Sequence, residues 1–199
     1  MEENKTAAQS RVFPPEKTVK INPQRDLGQW LEVLWDGRSS SQETVGRLKI
    51  ALLLLNEQQT LRGALERDGL DDQVPQLPSG EKARIERRIP EIDAMLSRGD
   101  YFSGSLAVLK ALMASTGELE MVRHELKKGE YIRPDQHENL EEVIVLLSGE
   151  CQVGVGNRER EYRLNGKAEI IEVPKGMKHY LLATADVSYL VVKRLVVKR

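Results

Sequence analysis

The 199-residue sequence predicts an α+β protein by segregation, in which an N-terminal helical region is followed by a C-terminal all-β barrel. Three observations predict it. The apolar period changes after Gly117 from helical spacings of three and four to short alternating runs. Those runs recur between turn residues at short, regular intervals. The first 25 residues, with Pro14, Pro15 and Pro23 among charges, show no sustained period at all. The expected division is an extended or mobile arm over 1–25, a helical domain over 26–117 and a barrel over 118–199.

The elements follow in chain order. Asp26 can cap a helix whose Leu27, Trp30, Leu31 and Leu34 share one face, and Trp35 extends its apolar surface. Gly37 and Ser39–Ser41 break that helix, and Ser40 with Glu43 has the spacing of a capping box for the next. In this second helix Val45, Leu48, Leu52 and Leu55 repeat at helical spacing. Leu53 and Leu54 widen the stripe until the middle is apolar nearly all round, which predicts burial in the core or at a partner. Gly69 is its stop, and Pro75 and Pro78 mark a loop. Ile85, Ile89, Ile92 and Leu96 carry a third helix through Pro90, where a kink or restart is expected. A short fourth helix runs over 105–114 with Leu106, Leu109, Leu112 and Met113.

Beyond Gly117, β-rich runs at 119–126, 143–147, 151–155, 169–173 and 187–192 alternate with turn signals at Gly129, Gly149, Asn157, Asn165-Gly166 and Gly176. Such a series forms a barrel or a sandwich. The VVKR at Val191 and again at Val196 reads as one continuing strand.

Bulk properties narrow the function. With 30 basic and 31 acidic residues the net charge is −1, so the chain has no broad field to draw it to nucleic acid. The basic stretch 84–88 is interrupted by Glu86 and reads as a solvated helix face. The longest apolar run, 50–55, is far shorter than the roughly 20 residues a membrane helix needs, so no membrane partner is expected. The single cysteine, Cys151, excludes an intramolecular disulfide and reads as a small buried apolar residue. A polar, acidic N-terminus without the layout of a secretory signal adds to an expected cytoplasmic location. No P-loop, dinucleotide fingerprint, GxSxG elbow or HExxH helix is present in the sequence.

The chemistry-bearing residues cluster in two segments. From Gly129 the chain reads GEYIRPDQHENLEEVIVLLSG, and from Val173 it reads VPKGMKH. Residues two apart on an extended strand point to one face, so Asp135 and His137 look the same way and Glu142 can join them across a turn. Pro174 and Gly176 make a tight turn that delivers His179. Two imidazoles with one or two carboxylates suit Fe, Mn, Ni, Cu or Zn.

These segments resemble the two motifs of the cupin superfamily. The first is matched by Gly129, Asp135, His137, Glu142 and Gly149 in order, and the second by Pro174, Gly176 and His179. The resemblance covers roughly the last eighty residues. It implies a cupin-type jelly-roll barrel with a metal held by His137, Glu142, His179 and Asp135, a small oxygenated ligand, and dioxygenase, isomerase or decarboxylase chemistry. It also implies self-association as a homodimer. Asp135 departs from the pattern, since a histidine usually stands there, and Gly166 and Ala183 depart from it around the second motif. The alternative is a degenerate cupin, serving as a ligand sensor or as a module of a larger assembly through its helical half. The stretches LKKGEYI and LLSGE also resemble cyclic-nucleotide-binding domains, but the short helix and arginine that hold the phosphate there are missing from GKAEIIEVPKGMKH. His124, outside both motifs, reads as structural.

Overall fold

A computed structural model describes residues 18–23, 25–34, 42–70, 76–115 and 117–195. Trp35, Gly37, Ser40 of the capping box, Pro75, the arm before residue 18 and the VVKR at 196–199 lie outside the described residues.

The helical region comprises α1 (Leu27–Leu34), α2 (Gln42–Arg67), α3 (Ser79–Ser97) and α4 (Leu106–Met113), with two short strands, β1 (Val19–Ile21) and β2 (Phe102–Gly104). On α2 the expected stripe is buried through Val45, Leu48, Leu52, Leu54 and Leu55, while Ile50 and Leu53 remain 46% and 49% exposed. The segment is therefore mostly core with one bare shoulder. Pro90 lies inside α3, which runs on without a restart. The position is exposed, so water can serve the carbonyl that the missing N–H would have paired. Ser105 caps α4 by accepting a hydrogen bond from the Val108 N–H, 3.3 Å away.

The remaining strands are β3 (Leu119–Leu126), β4 (Tyr131–Asp135), β5 (Leu140–Ser148), β6 (Glu150–Val155), β7 (Arg158–Arg163), β8 (Ala168–Val173), β9 (His179–Ala183) and β10 (Val187–Leu195). Their antiparallel pairing is nested: β3 with β10, β4 with β9, β5 with β8 and β6 with β7. A long hairpin folded on itself in this way is a jelly roll. The sheets run β1-β3-β10-β5-β8-β2 and β4-β9-β6-β7. They do not close into the expected barrel. β4 carries Pro134, which has no N–H for a ladder, and β7 is an edge strand of alternating arginine and glutamate. At the outer edges of the larger sheet, β1 pairs with β3 and β2 runs parallel to β8. Val19–Ile21, within the expected arm, is thus extended and paired.

The larger sheet is apolar on both faces, because alternate residues of each strand point opposite ways. Val143, Val145 and Leu147 of β5 and Leu190 and Val192 of β10 join Trp30, Leu48, Leu52 and Ile92 in a core against the helices. Their neighbours in sequence, Ile144, Leu146 and Tyr189, join Val153 and Leu181 in a second core between the sheets. Cys151 is buried in that second core, and burial pushes its thiol up to about 12.

Two glycines shape the turns. Gly149, at the end of the first motif, has φ 92°, and a Cβ there would meet the Asp186 carbonyl oxygen at 2.0 Å. Gly176 has φ 73° in the turn after β8. Among the described residues no helix is long and apolar enough to cross a membrane.

Candidate metal centre

In the inter-sheet core, polar side chains replace apolar ones where the β5 and β10 rows reach Glu142 and Lys193. On β5 the inward row reads Glu142, Ile144, Leu146, and on β10 it reads Lys193, Val191, Tyr189. Glu142 and Lys193 are opposite one another in the β5–β10 register. On the smaller sheet, Asp135 at the end of β4 is opposite His179 at the start of β9. His137 follows two residues after Asp135, in the connection to β5. The Gly176 N–H donates to the His137 carbonyl at 2.8 Å, so the turn that delivers His179 also pins the segment that carries His137. The two sequence motifs are hydrogen-bonded together.

His137, Glu142 and His179 form a group that could hold a metal ion, with one ligand atom from each lying within 4.8 Å of the others. Glu142 is central. Its Oε2 is 2.8 Å from His179 Nε2, and its Oε1 is 3.1 Å from both His137 Nε2 and Lys193 Nζ. Oε1 is fully buried and, despite these distances, makes no well-aligned hydrogen bond. Burial works to raise the Glu142 carboxyl, but the hydrogen bond from His179 and the Lys193 ammonium outweigh it and hold the group at about 2. Burial likewise works to lower His179, and the Glu142 carboxylate overrides it and raises the ring.

The tautomer follows from the neighbours. His179 Nδ1 is 3.3 Å from the Met177 carbonyl oxygen, which can only accept, so Nδ1 carries a proton. Nε2 facing an ionised carboxylate carries a second one. A metal ion held by His179 would take the place of that second proton, and the Met177 carbonyl would keep the ring oriented. Two imidazole nitrogens and one ionised carboxylate, of which one oxygen is buried without an aligned donor, fit a divalent transition metal.

Asp135 stands apart from this group. Its Oδ2 is 3.2 Å from His137 Nε2, but its side chain is 58% exposed against 4% for Glu142. It sits at the rim, beside the cluster rather than within it.

The group lies at one end of a cavity of about 310 Å³ between the sheets. All three histidines of the chain line it. His124, read from sequence as structural, projects from β3 into the cavity and stacks on Tyr189 with ring centroids 5.0 Å apart. Burial, aided by the Lys193 charge, pushes it down to about 4, so its ring is neutral at pH 7. His124 and Lys193 are cavity residues that sequence reasoning missed. The signal was there for both, since each shares its strand row with apolar residues, Val122 and Leu126 for His124 and Tyr189 and Val191 for Lys193.

No protein-family model and no curated protein matches the chain. Solved structures do resemble part of it. A predicted oxalate decarboxylase from Thermotoga maritima is 20% identical at TM-score 0.35, over 41% of this chain and 84% of its own. A cupin-2 domain containing protein from Shewanella frigidimarina is 15% identical at TM-score 0.33, over 40% of this chain and 74% of its own. A cupin superfamily protein from Desulfitobacterium hafniense is 13% identical at TM-score 0.35, over 40% of this chain and 68% of its own. The second and third of these are cupin proteins.

Proposed function

We propose that the protein is a cupin-type metal-binding protein whose inter-sheet cavity takes a small oxygenated ligand. The observation that carries the proposal is the convergence of His137, Glu142 and His179 at the polar end of a cavity. His137, Glu142 and His179 are its metal ligands, with Asp135 beside His137 as a fourth ligand or a base at the rim. The metal, one of Fe, Mn, Ni, Cu or Zn, supplies Lewis-acid or redox chemistry when bound, in a reaction of the dioxygenase, isomerase or decarboxylase type. The chain's own residues bind and orient. Glu142 stays ionised, the Met177 carbonyl aims the His179 ring, and the apolar walls shed water from the ligand.

A second reading, a cavity that senses a ligand without catalysis, is favoured by one observation. Lys193 already neutralises the Glu142 carboxylate with an ammonium group. In that reading the helical half makes the contacts of an assembly.

Elemental analysis of protein purified without a metal-affinity tag, beside His137→Ala and His179→Ala, separates the two. Near-stoichiometric metal that both variants lose supports the first reading. No metal after reconstitution with each of the five ions leaves the second.

A further inference from the structure

We infer that Lys193 is the ligand-selecting residue of this cavity, and that the ligand is a small organic monoanion with a compact apolar body. The inference rests on the proposed metal site and goes beyond it to the class of molecule bound.

Lys193 is the only lysine or arginine among the described residues that line the cavity. It comes from the inward row of β10, where Tyr189 and Val191 precede it, and its side chain is 28% exposed. A lysine on such a row has its stem among apolar neighbours and its charge held at one place. Here that place is beside Glu142, at the same end of the cavity as His137 and His179.

Charge decides the ligand's head. One carboxylate and one ammonium cancel, so a divalent ion on the histidine–glutamate group leaves two positive charges around the buried carboxylate. Asp135 offsets one of them from the rim, where water screens it. A ligand with one negative charge completes the balance, whereas a neutral ligand of the same shape displaces water and leaves the surplus charge poorly solvated.

The far walls decide the body. Val122, Ile132, Ile144 and Leu181 line the cavity, with the Tyr189 ring stacked on His124. The volume of about 310 Å³ is at the low end of ordinary ligand cavities, roughly 300–1,000 Å³, and suits a single ring or a short branched chain.

Benzoate and its neutral isostere benzamide are suitable probes, read by the visible spectrum of the Co²⁺-loaded protein. Benzoate is expected to perturb the spectrum saturably, and benzamide to bind at least about tenfold more weakly. Lys193→Met is expected to weaken benzoate by about tenfold or more with no loss of Co²⁺ affinity, and Lys193→Arg to restore most of it. Equal binding of the two probes, no binding of either, or a Lys193→Met variant that holds benzoate as the parent does overturns the inference. If Co²⁺ does not bind, the metal reading falls by itself, and calorimetric titration of benzoate into the metal-free protein decides. Binding that Lys193→Met abolishes then sustains the inference, and absence of binding overturns it.

Discussion

The two faces of the larger sheet are built from the same strands and do different work. Toward the helices, Val143, Val145 and Leu147 of β5 and Leu190 and Val192 of β10 are closed over by Trp30, Leu48, Leu52 and Ile92, and the rows end in an ion pair, Glu141 with Arg194, whose side chains stay 34% and 38% exposed. Toward the smaller sheet the same strands begin apolar and end in Glu142 and Lys193. A buried carboxylate and an ammonium in place of two aliphatic side chains cost desolvation that packing would not. The contrast marks the cavity row as the one where stability has been given up, and it predicts that neighbouring residues on one strand respond differently to substitution.

The largest effect is expected on the helix face. Leu190→Ala removes a fully buried side chain from the closed core and is expected to cost about 2–5 kcal/mol in denaturant unfolding, with metal stoichiometry unchanged. Val191→Ala, one residue on and facing the cavity, is only partly buried and is expected to cost about 1 kcal/mol or less. Equal costs would erase the comparison.

Glu142→Gln sharpens it from the other side. Metal affinity is expected to fall at least about a hundredfold, because the central ligand loses its charge. Stability is expected to fall by about 1–3 kcal/mol, since the attractions of His179 and Lys193 outweigh the desolvation of the carboxylate and both partners are left uncompensated.

A third test uses pH. His124, lowered in the folded protein to about 4 from 6.5, contributes stability above 6.5 that is lost as pH falls toward 4. His179, raised, contributes stability that is full below 6.5 and lost as pH rises through its folded value. Glu142, held at about 2, contributes stability above 4.5 that is lost as pH falls toward 2. The windows are distinct, so His124→Phe, which keeps the stack on Tyr189, is expected to shrink only the loss between pH 6.5 and 4. The expected change is about 1–2 kcal/mol, discounted for the solvent the ring retains. An unchanged stability profile would mean that His124 is protonated inside the fold.

The sequence made some of this architecture legible and hid the rest for physical reasons. β3 was readable at its full extent, 119–126, because it begins and ends on a leucine and lies between the turn signals at Gly117 and Gly129. The cores of β5, β6, β8 and β10 were readable as β-branched runs between glycines. β7 was not, since REREYR lies at an edge with nearly every side chain in water, and neither face supplies an apolar row. β4 and β9 are five residues each, and Pro134 disguises the first as a turn. β1 and β2 are three residues long and owe their conformation to the strands they pair with. At the site, motif spacing pointed to His137, Glu142, His179 and Asp135, and Asp135 lies at the rim. Lys193 and His124 required strand register, because what makes each notable is the row it shares and the residue opposite.

Calorimetric titration of the metal-free protein with Zn²⁺ tests the histidine–glutamate group most directly. The predicted result is one saturable site whose binding releases protons, increasingly so as pH is lowered through the raised folded value of His179, because the ion would replace the proton on His179 Nε2. Glu142→Gln removes the heat. An absence of stoichiometric binding in the parent, or binding that Glu142→Gln leaves intact, would contradict it.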